Sequence, residues 1–163
     1  FPGKPVRTLV STHFHNDHSG GLRAYVAAGA VVVTGKANEL FLRTMFSAPH
    51  ARVPDSLHRE KKEAVIETVE TEKKTITDGE RTIDVYPVTS THSVGMLVVH
   101  LPQDKLLFVA DLFSPGAPRQ IAPFSRELLD AIQQHNLQVE GIVGGHGNKV
   151  GTLADVRQAA AGQ

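Results

Sequence analysis

One heptapeptide constrains this chain more than any other feature: Thr12-His13-Phe14-His15-Asn16-Asp17-His18. Three imidazoles and a carboxylate fall between His13 and His18, and all four are metal-ligand types. Histidines held together repel one another once protonated, so folding alone gives little reason to crowd them. A bound metal removes that conflict by requiring the neutral ring, which couples binding to proton loss. The preceding segment, Arg7 to Thr12, is short and rich in β-branched residues and reads as a strand. If the backbone stays extended past Thr12, His13 and His15 point to one side, because strand side chains alternate. They can then share one ion. Ser19-Gly20-Gly21 signals a turn and a helix start, so Asp17 and His18 can face a second ion beside the first. A histidine-rich surface loop is the plain competing reading, and ligand types later in the chain weigh against it.

The rest of the chain alternates helical and extended patterns. Residues 20–29 read as a short helix ending at Gly29, and Val31 to Thr34 as a buried strand. The stretch Gly29 to Lys36 resembles a phosphate-binding loop only faintly. Its spacing is one residue too long and Ala37 stands where a hydroxyl is needed, so that reading is rejected. Leu40, Phe41, Thr44 and Met45 share one face of a helix over 36–47, a core pattern. Pro49 and Pro54 open a polar loop over 48–60, in which His50 and His58 read as solvent-exposed. From Arg59 to Arg81 the pattern is a pair of strands with a wet outer face. Asp78-Gly79 then turns into a strand at Thr82 to Tyr86. Strands follow at Met96–Leu101 and Lys105–Ala110, a helix at Phe124–His135, a short strand at Ile142-Val143, and a helix at Leu153–Ala160 capped by Thr152.

Placed on this pattern, His92, Asp111 and His146 join His13, His15, Asp17 and His18 where a strand gives way to a loop. In α/β folds such strand ends gather at one rim, where sites are built. Singly, each later residue has a bland explanation as a structural histidine or a turn carboxylate. Together with the first cluster they do not. His100 lies inside a strand and His135 near a helix end, where the negative dipole end favours it, so neither is a candidate.

Composition sets outer limits. The 163 residues suit a single domain, 1–163, and 40% hydrophobic content is enough for a core. Lys+Arg and Asp+Glu both number 17, which argues against a general nucleic-acid binder. The absence of cysteine excludes disulfides and thiolate ligands, while leaving the compartment open. No apolar run approaches the roughly 20 residues of a membrane span, so no membrane partner is expected.

His13-Phe14-His15-Asn16-Asp17-His18, followed in order by His92, Asp111 and His146, resembles the metallo-β-lactamase superfamily of metallohydrolases over essentially the whole chain. The resemblance implies an α/β fold, an αββα sandwich with a two-metal site at one edge of its sheets. It implies that His13, His15 and His92 hold the first metal and Asp17, His18 and His146 the second, with Asp111 bridging. Family members that reduce oxygen or nitric oxide at two irons typically carry a carboxylate where this chain has His15. An imidazole there favours hydrolysis with zinc, two ions per chain, with iron or manganese as the other metals to consider. The cysteine-ligand lactamases are excluded, and a bridging Asp111 is more like glyoxalase II, lactonases and phosphodiesterases. The family fold usually places several strands before the His-rich motif, and here about one precedes it. The expectation is therefore a sandwich lacking much of its N-terminal half, completed by an intimate homodimer or by a separate N-terminal segment.

The expected chemistry follows from two divalent ions that lower the pKa of a shared water toward neutrality. Asp17 would orient the resulting hydroxide and take its proton. The first expectation is a small-molecule substrate with an ester, thioester, lactone or β-lactam-like amide carbonyl. Alternatives are a phosphodiesterase, a mononuclear iron persulfide dioxygenase, and a catalytically silent metal-binding oligomeric module. Thr12, Ser90, Thr91, Ser93 and Asn148 are near enough in sequence to orient the ligand rings. The loop over 48–60 is the segment freest to shape a pocket.

Overall fold

The computed structural model describes residues 3–162. Its first sheet has three parallel strands, β1 (Thr8–Ser11), β2 (Val31–Gly35) and β3 (Ile66–Val69), in the order β1-β2-β3. Leu9 lies opposite Val32, and Val32 opposite Ile66. Parallel neighbours need crossover connections, and helices supply them. The β1–β2 crossover holds α1 (Asn16–Ser19) and α2 (Leu22–Ala27). The β2–β3 crossover holds α3 (Glu39–Ser47) and α4 (Ser56–Glu60). Leu22, Val26, Leu42, Phe46 and Leu57 of these helices pack with Val32 in one core.

The second sheet has five strands in sequential order: β4 (Lys74–Thr77), β5 (Thr82–Val88), β6 (Met96–Leu101), β7 (Leu106–Phe108) and β8 (Gly141–Val143). The first four run antiparallel, and β8 is parallel to β7. The return to β8 passes through α5 (Ala122–Gln134), and α6 (Leu153–Ala160) packs beside α5. Thr152 and Asp155 form a reciprocal capping box at the start of α6.

The side-chain alternation of two strands explains the layering. In β2, Val32 enters the helix-side core while Val33 enters the core between the sheets, and both are fully buried. In β6, Leu97 faces the first sheet while Met96 and Val98 face α5 and α6. Each buried valine contributes about 1.5–3 kcal/mol, so these strands join adjacent layers. The result is helices, sheet, sheet, helices.

The structure corrects four local expectations. Leu40, Phe41 and Thr44 are exposed rather than core, and α3 instead turns Leu42 and Phe46 inward. The strands expected as a pair in 59–81 do not pair with each other: β3 joins the first sheet and β4 the second. The loop over 48–60 contains the helical turn α4, and it is anchored. Arg23 of α2 is buried, binds both Asp55 oxygens and also donates to the carbonyls of Met45 and Phe46. The hydrogen bonds of this loop run to α2 and to itself rather than to the candidate ligands. Finally, helical structure begins earlier than residue 20, because α1 already contains Asp17 and His18. Among the described residues, β1 pairs on one side only, and no helix is long and apolar enough to cross a membrane.

Candidate metal centre

Beyond β1 the chain crosses toward the second sheet. The N–H of Leu97 in β6 donates to the Thr12 carbonyl at 2.9 Å, tying the end of β1 to the facing sheet. His13 follows with no solvent exposure. The Thr12 hydroxyl lies 3.1 Å from His13 Nδ1, which leaves Nε2 to face the site. At His15 the backbone is extended, and its carbonyl accepts from the N–H groups of His18 and Ser19 to begin α1. One short helical turn thus presents Asp17 and His18 beside His13.

The other three residues arrive from the second sheet. His92 lies in the turn between β5 and β6. Asp111 follows β7 in a tight helical turn over 110–112, and Ala110 before it has φ 46°. A left-handed alanine costs on the order of 1–2 kcal/mol, which the fully buried Ala110 carries at the edge of the site. The Ala110 carbonyl accepts from Gly145 at 2.8 Å, joining the Asp111 turn to the loop that carries His146. Gly145 lies close against the site: a Cβ there would lie 2.8 Å from Cε1 of His18 and would push that ring aside.

The seven side chains fall into two sets. One ligand atom each from His13, His15, His92 and Asp111 lie within 4.8 Å of one another, and the same holds for Asp17, His18, Asp111 and His146. Asp111 belongs to both. Its Oδ2 is 3.5 Å from His13 Nε2 and 3.1 Å from His92 Nε2. Its Oδ1 is 2.8 Å from His18 Nε2 and 3.5 Å from His146 Nε2. Each oxygen therefore faces a different set.

These contacts fit a metal better than they fit one another. His13 Nε2 and His92 Nε2 approach to 3.2 Å. Two donors bound tetrahedrally at about 2.0–2.1 Å lie roughly 3.3–3.4 Å apart. Asp17 Oδ2 lies 3.4 Å from His18 Nε2 and 3.2 Å from His146 Nε2, the same spacing. His18 Nε2 and Asp111 Oδ1 are both buried, yet despite their proximity neither makes an aligned hydrogen bond among the described residues. Buried polar atoms are seldom left so without a role.

Electrostatics prepare the donors in their ligating forms. Burial works against ionisation of Asp111, but hydrogen bonding from His13 and the nearby His18 and His92 rings outweigh it and lower its pKa to about 2. Burial lowers the pKa of His92, opposed by Asp111 and assisted by His13 and His15, which favours the neutral ring. Asp17 is also held below the usual carboxylate range. Desolvation opposes the shift, and its own backbone N–H, His18 and His146 prevail. The two sets differ in access: His13 is sealed, whereas the side chains of Asp17 and His146 are 50% and 55% exposed. A cavity of about 620 Å³ beside the His92 turn is lined by Ser90, Ser93 and Val94 but by none of the seven donors. The centre opens to solvent through Asp17 and His146 instead.

Of the expected ring-orienting residues, only Thr12 touches a ligand ring. Ser93 bonds the Val94 carbonyl, and the Asn148 N–H donates to the Pro115 carbonyl. Ser90 receives the backbone N–H of His92, and Thr91 donates to Glu127. His100 and His135 lie apart from the centre, on the carbonyls of Gln138 and Pro87. Two neighbours escaped sequence reasoning. Phe124 packs edge-on against the His92 ring at 5.0 Å, and Glu127 grips the His92 turn. Both follow an ordinary helical pattern in the sequence, which carried no signal of either contact.

The chain belongs to the metallo-beta-lactamase superfamily, whose family model matches residues 1–155. Comparison with curated proteins finds no match. Solved structures share the fold. DIM-1 metallo-beta-lactamase is similar at 21% identity and a TM-score of 0.64, over 93% of this chain and 64% of that one. A metallo-beta-lactamase from Pontibacter korlensis is similar at 21% identity and a TM-score of 0.69, over 97% and 69%. Rubredoxin oxygen:oxidoreductase from Desulfovibrio gigas is similar at 20% identity and a TM-score of 0.68, over 96% and 42%. The chain thus spans about two thirds of the length of these lactamases and less than half of the oxidoreductase.

Proposed function

We propose that this protein is a dinuclear metal-dependent hydrolase acting on the carbonyl of an ester, thioester, lactone or β-lactam-like amide, with zinc as the metal. The observation that carries this reading is the division of Asp111, whose two carboxylate oxygens face different sets of imidazoles. His13, His15 and His92 would hold one ion, and Asp17, His18 and His146 the other. When bound, the ions supply Lewis acidity, which makes hydroxide available near neutral pH and stabilises a developing oxyanion.

The chain's own residues do the rest. Asp17 is ionised at neutral pH, half exposed and at the mouth of the centre. Its carboxylate orients the attacking water and accepts its proton. His146, equally exposed, lies 3.2 Å from Asp17 Oδ2 and limits where that carboxylate can turn. The sealed His13 side excludes bulk water from one flank. The open face, where Asp17 and His146 are half exposed, admits a substrate whose remainder stays in solvent.

An oxidoreductase reading finds support in the likeness to the Desulfovibrio gigas structure. His15 counts against it, because an imidazole replaces the carboxylate typical of two-iron members. The test is to load apo protein separately with zinc and iron, then assay an ester, a thioester, a lactone and a bis-aryl phosphodiester alongside oxygen consumption. Zinc-dependent carbonyl hydrolysis is expected. Faster phosphodiester turnover would change the substrate class, and iron-dependent oxygen consumption without hydrolysis would overturn the proposal.

A further inference from the structure

Glu127 stands on α5, outside the seven donors, and the chemistry above leaves it without a task. Its carboxylate nonetheless accepts from the Ser90 hydroxyl at 2.7 Å, from the Thr91 hydroxyl at 2.6 Å, and from the Thr91 N–H at 3.1 Å to each oxygen. The Ser90 oxygen in turn accepts the backbone N–H of His92 at 3.0 Å. A continuous run of hydrogen bonds therefore leads from α5 to the backbone of a candidate ligand.

The direction of that run is set by chemistry. An ionised carboxylate only accepts, so it draws the Ser90 proton toward itself. The Ser90 lone pairs are left to face the His92 N–H. No other arrangement satisfies all three groups. One helical turn before Glu127, Phe124 rests against the His92 ring at 5.0 Å. The same helix thus holds the backbone and the ring of His92.

The far end of the turn is fastened from the first sheet. Asn38 is 1% exposed, and its Nδ2 donates to the Gly95 carbonyl at 3.0 Å. Gly35 approaches so closely that a Cβ there would lie 2.0 Å from that carbonyl oxygen. His92 therefore sits between two anchors from opposite layers, with only Glu127 bearing charge.

We propose that Glu127 is a positioning residue for the metal centre: by orienting the Ser90 hydroxyl it fixes the turn that aims His92 Nε2 at His13 Nε2 and Asp111 Oδ2. The inference rests on the reading of the seven donors as a metal centre. Partners bonded directly to a ligand ring typically change metal affinity by about 10–100-fold, and Glu127 acts one bond further out, on the backbone, so its effect should fall at the lower end.

The experiment is zinc titration of the full chain against a competing chelator, with circular dichroism on each variant. Glu127→Ala should weaken one bound ion by about tenfold, and Glu127→Gln, which keeps one oxygen acceptor, should recover part of the loss. Ser90→Ala interrupts the run without touching Glu127, and should reproduce the defect if Glu127→Ala fails to fold. In a His92→Ala background, removing Glu127 should add nothing. An undiminished affinity in folded Glu127→Ala, or the same fold-loss with His92 absent, would overturn the inference and leave the metal centre standing. Wild-type protein that retains no zinc would overturn both.

Discussion

The two donor sets share Asp111 and differ in almost everything else. The first is built on sheet ends. His13 has no exposure, its ring meets the Thr12 hydroxyl, and the preceding carbonyl is bonded to the facing sheet. His92 is anchored from α5 through Ser90. The second set is built on a four-residue helix and a glycine-rich loop, with Asp17 and His146 half exposed. Donor number is equal, but preorganisation is not. Rings held by their surroundings lose little freedom on binding an ion, whereas solvent-exposed ones must first be ordered. The first set is therefore the fixed platform, and the second is the face open to solvent.

The most severe way to break this contrast is to remove what the sets share. Asp111→Asn discharges the carboxylate and replaces one of its two oxygens with a donor. Both ions should be weakened, and hydrolysis should fall below detection. Elemental analysis after dialysis checks this, and retention of two ions per chain would refute the bridging role.

Single-set variants come next. His13→Ala should cost the first ion and all measurable turnover. His146→Ala should spare the first ion, leaving about one zinc per chain, which His13, His15, His92 and Asp111 would hold, and weak residual activity. If His146→Ala empties both sites while His13→Ala keeps one, the assignment of platform and open face is reversed.

A gentler change sharpens the comparison. Thr12→Val keeps the shape but removes the oxygen beside His13 Nδ1. Affinity at the first set should fall by about 10–100-fold, with the second set less affected. Chelator competition resolves the two, and an equal loss at both would deny that Thr12 acts through His13.

The smallest effect is an offset in acid release. Metal binding needs neutral rings, so an ion is held above the ligand pKa and lost as pH falls through it. Burial lowers the pKa of His92, so its ring stays neutral to lower pH. Asp111 remains ionised down to about 2, so imidazole protonation rather than loss of that carboxylate should release both ions. Loss of the ion held by His92 should therefore come below the ordinary imidazole range. The visible spectrum of the cobalt-substituted protein, followed during acidification, checks this, and release already complete within that range would contradict it.

Much of the fold was legible in the amino-acid sequence, as were the seven residues that the structure gathers into two candidate sets. Apolar runs such as Val31 to Thr34 and Met96 to Leu101 mark strands, and Leu128, Leu129 and Ile132 mark a helix, because local periodicity and burial coincide there. Sheet membership was not legible. β3 and β4 are separated by a few residues, yet they pair with strands of different sheets, a choice made by distant partners. Nor was the anchoring of the 48–60 loop, since Arg23 and Asp55 look like ordinary surface charges until they meet. Glu127 was hidden for the same reason: a glutamate on an amphipathic helix carries no mark of the turn it grips.

The amino-acid order alone determined the donor chemistry and its placement at strand ends, because residue type and side-chain alternation are local properties. Only the tertiary structure decided how those donors divide. His13 and His92 are 79 positions apart and Asp17 and His146 are 129 apart, so their meeting depends on two sheets packing face to face. The direction in which each Asp111 oxygen points depends on the turn after β7, where Ala110 holds a left-handed backbone. That conformation is imposed by long-range packing and hydrogen bonds, which no local pattern encodes.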